Sequence, residues 1–132
     1  MNYVTEKSDF IFIFPIGAAG YSLLEVLWRG YTHWTMALVG GLCLCILYSV
    51  FGKYKKAGII KKCLLCAALI CAVEFISGCI INLVFKLNVW DYSHLPFNIL
   101  GQICLPYYLL WLLLCLPLYS LCMLLSKWIR RL

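Results

Sequence analysis

From Phe10 to Ser126 the chain is a succession of long apolar runs, and nearly all of its charge sits in the short junctions between them and in the segments that flank them. The runs cover about 10–28, 34–51, 63–85 and 97–126. A helix crossing a hydrocarbon core about 30 Å thick needs about 20 apolar residues, and each run is near or beyond that length. Only 12% of the residues are charged and 65% are hydrophobic, whereas a soluble domain carries roughly 25% charged residues. A soluble globular protein is thereby excluded. With 132 residues in all, no room is left for a soluble catalytic domain. The pattern predicts an all-α polytopic membrane protein of four transmembrane helices in a single transmembrane domain.

The last run is 30 residues long, about 45 Å as one straight helix at 1.5 Å per residue. Pro106 and Pro117 offer break points. The expected arrangement is an interfacial or partly inserted segment over about 96–105, then a kinked span over about 107–126. At the other end, Gly17-Ala18-Ala19-Gly20 has the small residues of a signal-peptide cleavage site. The leader lacks a clearly basic start and the apolar run continues past that site, so the first run reads as a retained span.

A net charge of +6 in a soluble chain would suggest nucleic acid. Here the distribution matters more than the sum. Four spans put Lys7, the five lysines of the 52–62 loop (Lys53, Lys55, Lys56, Lys61, Lys62) and Lys127, Arg130 and Arg131 on one side, leaving Arg29 and Lys86 on the other. By the positive-inside rule both termini are cytoplasmic, in a bacterial plasma membrane or its equivalent. Trp28, Tyr31, Trp34, Trp90 and Tyr92 would form an outer aromatic belt, with Trp128 at the inner face. Membrane lipids are the expected surroundings. No phosphate-cradling loop, nucleotide motif or zinc ribbon is found, so neither a nucleic-acid partner nor a cofactor is expected. The nine cysteines lie in or beside apolar runs and read as small buried hydrophobes. Cys63-x-x-Cys66 has no second pair to make a metal site.

The residues able to carry chemistry are few. An acid in a transmembrane helix costs about 2.5–3.5 kcal/mol on insertion scales unless paired, hydrated or neutral, and there are two. Glu25 has Arg29 at i+4, within ion-pair reach; the pair either orients the helix or forms part of a ligand or ion site. Glu74 lies mid-span with no base nearby in sequence, and Gly78 and Asn82 continue its face. It either hydrogen-bonds between helices or binds a cation, a proton or a polar head group. The third cluster runs from Asn88 to Gln102 and contains Asp91, His94, Asn98 and Gln102. Asp91 and His94 can share a turn, and Asn98 and Gln102 would point the same way from a helical segment. With His33 from the first outer loop, Glu25, Arg29, Glu74, Asp91, His94, Asn98 and Gln102 are expected to converge around one outward-facing cavity. A metal held by His33, His94 and a carboxylate is chemically possible, but the spacing does not demand one. The alternative is an ordered interfacial loop with no ligand. A two-plus-two duplication that aligns Glu25 with Glu74 has little support beyond those residues.

Tyr21-Ser22-Leu23-Leu24-Glu25 through Arg29-Gly30, Glu74-Phe75-Ile76-Ser77-Gly78, and above all Trp90-Asp91-Tyr92-Ser93 with Pro96-Phe97-Asn98 and Gly101-Gln102-Ile103-Cys104 carry a resemblance. They resemble the bacterial integral-membrane family described as Putative ABC-transporter type IV, or CmpB-like, over most of the chain. The first half is looser. His33-Trp34-Thr35-Met36 with Gly40-Gly41 resembles a short subgroup and departs from the pattern of longer members. The resemblance implies a small permease. Without a Walker motif, ATP coupling would need a separate ATPase, and four spans are few for a complete permease, so a homo-oligomer is expected.

Three functions follow in order of expectation. The first is a permease or transport component whose polar site is Glu25, Arg29, His33, Glu74, Asn82, Asp91, His94, Asn98 and Gln102. The second is an intramembrane enzyme acting on a lipid or isoprenoid, with His94 and Asp91 or Glu74 as acid and base. The third is a structural or holin-like protein without a site.

Overall fold

The computed structural model describes residues 5–54 and 56–132; Lys55 of the lysine loop lies outside the described residues. Four helices follow one another: α1 Phe10–Arg29, α2 Trp34–Lys53, α3 Ile59–Gly78 and α4 Leu105–Arg130. A 3₁₀ turn, Lys7–Asp9, leads into α1, and a π-helical turn, Cys79–Val84, prolongs α3. All four helices are long and apolar enough to cross a membrane, and no strand occurs among the described residues. The all-helical, four-span reading therefore holds.

The helix ends have local causes. Gly30, at φ 86°, closes α1 with its N–H on the Val26 carbonyl, the left-handed cap that glycine adopts without a Cβ clash. His33 precedes α2 and its Nδ1 accepts from the Thr35 amide at 3.3 Å, covering one of the N–H groups a helix start leaves open. Helix α3 begins at Ile59, so Lys61 and Lys62 belong to its first turns. Lys62 is buried, with its Nζ 5.4 Å from the centre of the Tyr119 ring. Helix α4 begins at Leu105 with Pro106 in its first turn, where no intrahelical N–H bond is lost, and its helical run includes Pro117 and ends at Arg130.

Helix α2 is the core of the bundle: 67% of its span is buried, against 17% for α1 and for α4. Glycines make its contact with α1 close. A Cβ on Gly17 would lie 2.6 Å from Leu44 Cβ and 2.8 Å from the Gly40 carbonyl oxygen, and one on Gly41 would lie 2.8 Å from the Phe14 ring. A Cβ on Gly40 would collide with Tyr21. Small residues of this kind let helix backbones approach where lipid supplies no hydrophobic drive. On the other side of α2, Phe51 meets Tyr119 of α4 edge-on at 5.0 Å. Cys66, Cys115 and Cys122 are fully buried in the same core.

The bundle has two distinct ends. At the terminal end Asp9, Tyr48 and Arg130 meet. At the loop end Arg29 meets the segment between α3 and α4.

Candidate functional site

At the loop end α1 carries Glu25 and Arg29 one turn apart, and the guanidinium spans two elements. Its Nε donates to Glu25 Oε2 at 2.6 Å and its Nη1 to the Val89 carbonyl at 2.7 Å. The pair is mostly covered, with side-chain exposures of 21% for Arg29 and 11% for Glu25. Arg29 Nη2 is shielded from solvent and has no hydrogen-bond partner among the described residues. Arg29 also stacks over the Tyr31 ring at 4.7 Å.

This ion pair opens onto a cavity of about 240 Å³ between α1, α4 and the α3–α4 segment. Its walls are otherwise apolar and aromatic: Tyr21 and Trp28 from α1, Trp90 and Tyr92 from the connecting segment, and Tyr107 and Trp111 from α4. Tyr92 stacks on Tyr107 at 4.5 Å, and Tyr21 meets Trp111 edge-on at 5.8 Å. Trp111 also reaches Glu74, its Nε1 donating to Oε1 at 2.9 Å. Glu74 is buried and its Oε2 has no partner among the described residues. It thus stands behind a cavity wall rather than in it.

The segment from Leu87 to Cys104 is not helical, which corrects the expectation that Asn98 and Gln102 project from one helical face. Phe97, Leu100 and Gly101 adopt φ of 56°, 54° and 72°, the left-handed region that cannot propagate a helix. The polar side chains instead bind backbone. Asn98 Nδ2 donates to the Leu95 carbonyl at 2.9 Å and its Oδ1 accepts from the Gly101 amide at 3.2 Å. Gln102 Nε2 donates to the Leu100 carbonyl at 2.9 Å. Asp91 Oδ1 accepts from the Ser93 amide and Oδ2 from the Ser93 hydroxyl, at 2.9 and 3.0 Å. These two Ser93 donors hold the Asp91 carboxyl below its ordinary range.

A buried amide pair fastens this segment to α3. Asn82 Nδ2 donates to Gln102 Oε1 at 2.7 Å, and Asn82 Oδ1 accepts from the Val89 amide at 2.7 Å. Trp90 Nε1 donates to the Gln102 carbonyl at 3.0 Å. A Cβ on Gly78 would lie 2.5 Å from Gln102 Oε1, so glycine there lets the segment seat. The π turn carries Asn82 inward; such single-turn insertions re-aim side chains at functional sites.

The residues expected to converge are thus divided. Of the nine candidate site residues, Glu25 and Arg29 line the cavity. Glu74 backs onto it through Trp111. Asn82 and Gln102 join each other, and Asp91 and Asn98 shape the connecting segment. His33 caps α2, and His94 is exposed.

The profile of the family described as Putative ABC-transporter type IV matches residues 10–132. The chain belongs to this family. No curated protein and no solved structure gives a match. In this member of the Putative ABC-transporter type IV family, the matched region covers all four helices and the α3–α4 segment, and begins one residue after Asp9.

One polar cluster of this family member was not foreseen from the sequence. Asp9 is fully buried at the start of α1. Its Oδ1 and Oδ2 accept from Arg130 Nη1 and Nη2 at 2.9 and 2.8 Å, and Oδ2 also accepts from the Tyr48 hydroxyl at 2.8 Å. A two-pronged guanidinium–carboxylate contact is among the stronger polar contacts. The sequence signal is slight: an acid directly before one apolar run and an Arg four residues after another.

Proposed function

We propose that this chain is the membrane-embedded component of a transport system, with the chamber beside Glu25 and Arg29 as its solute site. The observation that carries the proposal is the placement of that ion pair: on a spanning helix of a transporter-family chain, beside a cavity of about 240 Å³. Charged groups inside membrane segments mark substrate and ion paths. Asn82, Gln102, Asp91 and Asn98 support the site by holding the α3–α4 segment against it, and Glu74 supports it through Trp111. His33 and His94 lie at the same end of the bundle, outside the chamber walls.

The terminal end carries most of the basic residues and is assigned to the cytoplasm by the positive-inside rule, with both termini inside and the chamber on the outer side of a bacterial plasma membrane. ATP coupling is assigned to a separate ATPase. A homo-oligomer supplies the further helices that a complete permease needs.

The test is made in the source cell, where any partner is present. Solute pools in cells and medium are compared by mass spectrometry for the native chain, a deletion and a chromosomal Arg29→Ala replacement. At least one small solute is expected to change at least about tenfold in uptake or efflux in the deletion, and Arg29→Ala is expected to follow it. Identical pools in all three strains, with the native and Arg29→Ala proteins both present in the membrane, would refute the transport reading.

A further inference from the structure

The chamber walls restrict what it can hold. Trp90 and Trp111 have already committed their indole N–H groups, to the Gln102 carbonyl and to Glu74. Their rings therefore offer carbon and π surface rather than hydrogen bonds. Glu25 is neutralised by Arg29, so the pair adds no net charge to the site. Arg29 Nη2 is a shielded donor with no hydrogen-bond partner among the described residues. A ligand rich in N–H or O–H groups would exchange its water for the few acceptors that walls so largely aromatic and apolar supply. A cation whose charge is covered by methyl groups needs no acceptors, and aromatic faces attract it through the ring quadrupole. An anionic group on the same molecule would answer Arg29 Nη2 and leave the whole neutral.

We propose that the chamber binds a quaternary ammonium group carrying an anion a few bonds away, the chemistry shared by free betaines and by the phosphocholine headgroup of lipids. The inference rests on the transport reading for the role of the site, and names its ligand class. The volume of about 240 Å³ lies just under the range for drug-sized ligands, which suits a small zwitterion. The exposure of Trp28, at 73%, and of Leu24, at 55%, leaves one side of the chamber open, so both a free solute and a headgroup have a way in.

The experiment uses the full chain in phosphatidylglycerol nanodiscs and follows tryptophan fluorescence during titration. The probes are glycine betaine, glycerophosphocholine and 3,3-dimethylbutanoate, which has the betaine shape with carbon in place of the cationic nitrogen. Saturable binding is expected for betaine or glycerophosphocholine, with dimethylbutanoate at least about tenfold weaker than the better of them. Preference for betaine identifies a free solute. Preference for glycerophosphocholine, with betaine displaced when phosphatidylcholine is added to the disc, identifies a headgroup. Trp28→Leu, at an exposed position, is expected to weaken binding about fivefold with an unchanged melting temperature. Dimethylbutanoate binding as tightly as both zwitterions, or no saturation by either of them, overturns the inference. Because this is a binding readout, its failure alongside solute pools that still respond to Arg29→Ala condemns the ligand class alone, while unchanged pools with intact binding condemn transport.

Discussion

Glu74 and Trp111 illustrate how a membrane acid is held by a single partner. The indole N–H needs an acceptor, and a carboxylate supplies one while leaving its second oxygen without a partner among the described residues. An amide offers the same acceptor without the charge. Glu74→Gln is therefore expected to leave the unfolding midpoint in detergent unchanged or raised. Glu74→Leu, which leaves the Trp111 donor unmet, is expected to lose about 1–3 kcal/mol. A glutamine variant less stable than the leucine one would show that the acceptor is not what matters. At this scale the sequence was legible where partners lie one helical turn apart: Glu25 and Arg29 form the expected pair. It was illegible for Glu74, because Trp111 lies 37 positions away and a lone indole in an apolar run looks like packing.

The elements were legible to within a few residues, because a run of apolar side chains long enough to cross a bilayer has few other folded uses. The Asn88–Gln102 stretch was not. Its Asn, Asp and Gln side chains bind nearby backbone groups and so compete with helix formation, which periodicity cannot register. The π turn was hidden for a related reason, since Asn82 looks like one more member of the Glu74 stripe. The α1–α2 contact gives the sharpest prediction for an element. Gly17→Ala puts a methyl against Leu44 and the Gly40 carbonyl, where backbone cannot yield, whereas nothing lies within 4 Å of a Cβ on Gly20. Overpacking of this kind costs about 1–3 kcal/mol, so Gly17→Ala is expected to lower the thermal midpoint clearly. Gly20→Ala is expected to hold or raise it, since alanine favours a helix by up to about 1 kcal/mol over glycine. Equal effects of the two substitutions would argue against close packing of α1 on α2.

The whole molecule is held differently at its two ends. The loop end is a network of amides and backbone built around a chamber, while the terminal end is fastened by Asp9, Tyr48 and Arg130. Removing Arg130 takes both guanidinium bonds from the fully buried Asp9 carboxylate and lowers stability. Tyr48→Phe deletes one bond to that charged group, about 1.5–3 kcal/mol. Chemical unfolding in mixed micelles is expected to rank Arg130→Ala below Tyr48→Phe, and both below the native chain; a neutral Arg130→Ala would mean that water solvates Asp9. No local pattern joins residues 121 positions apart, and the charged tail had an adequate explanation in membrane orientation alone. That separation also sets an order of events. Asp9 is made 121 residues before Arg130, so a growing chain carries an unanswered acid at the mouth of its first helix until α4 is complete. A chain cut just before Arg130 would stay in that state, and quality-control proteases would then meet a bundle whose four helices are present but whose first and last are not fastened together.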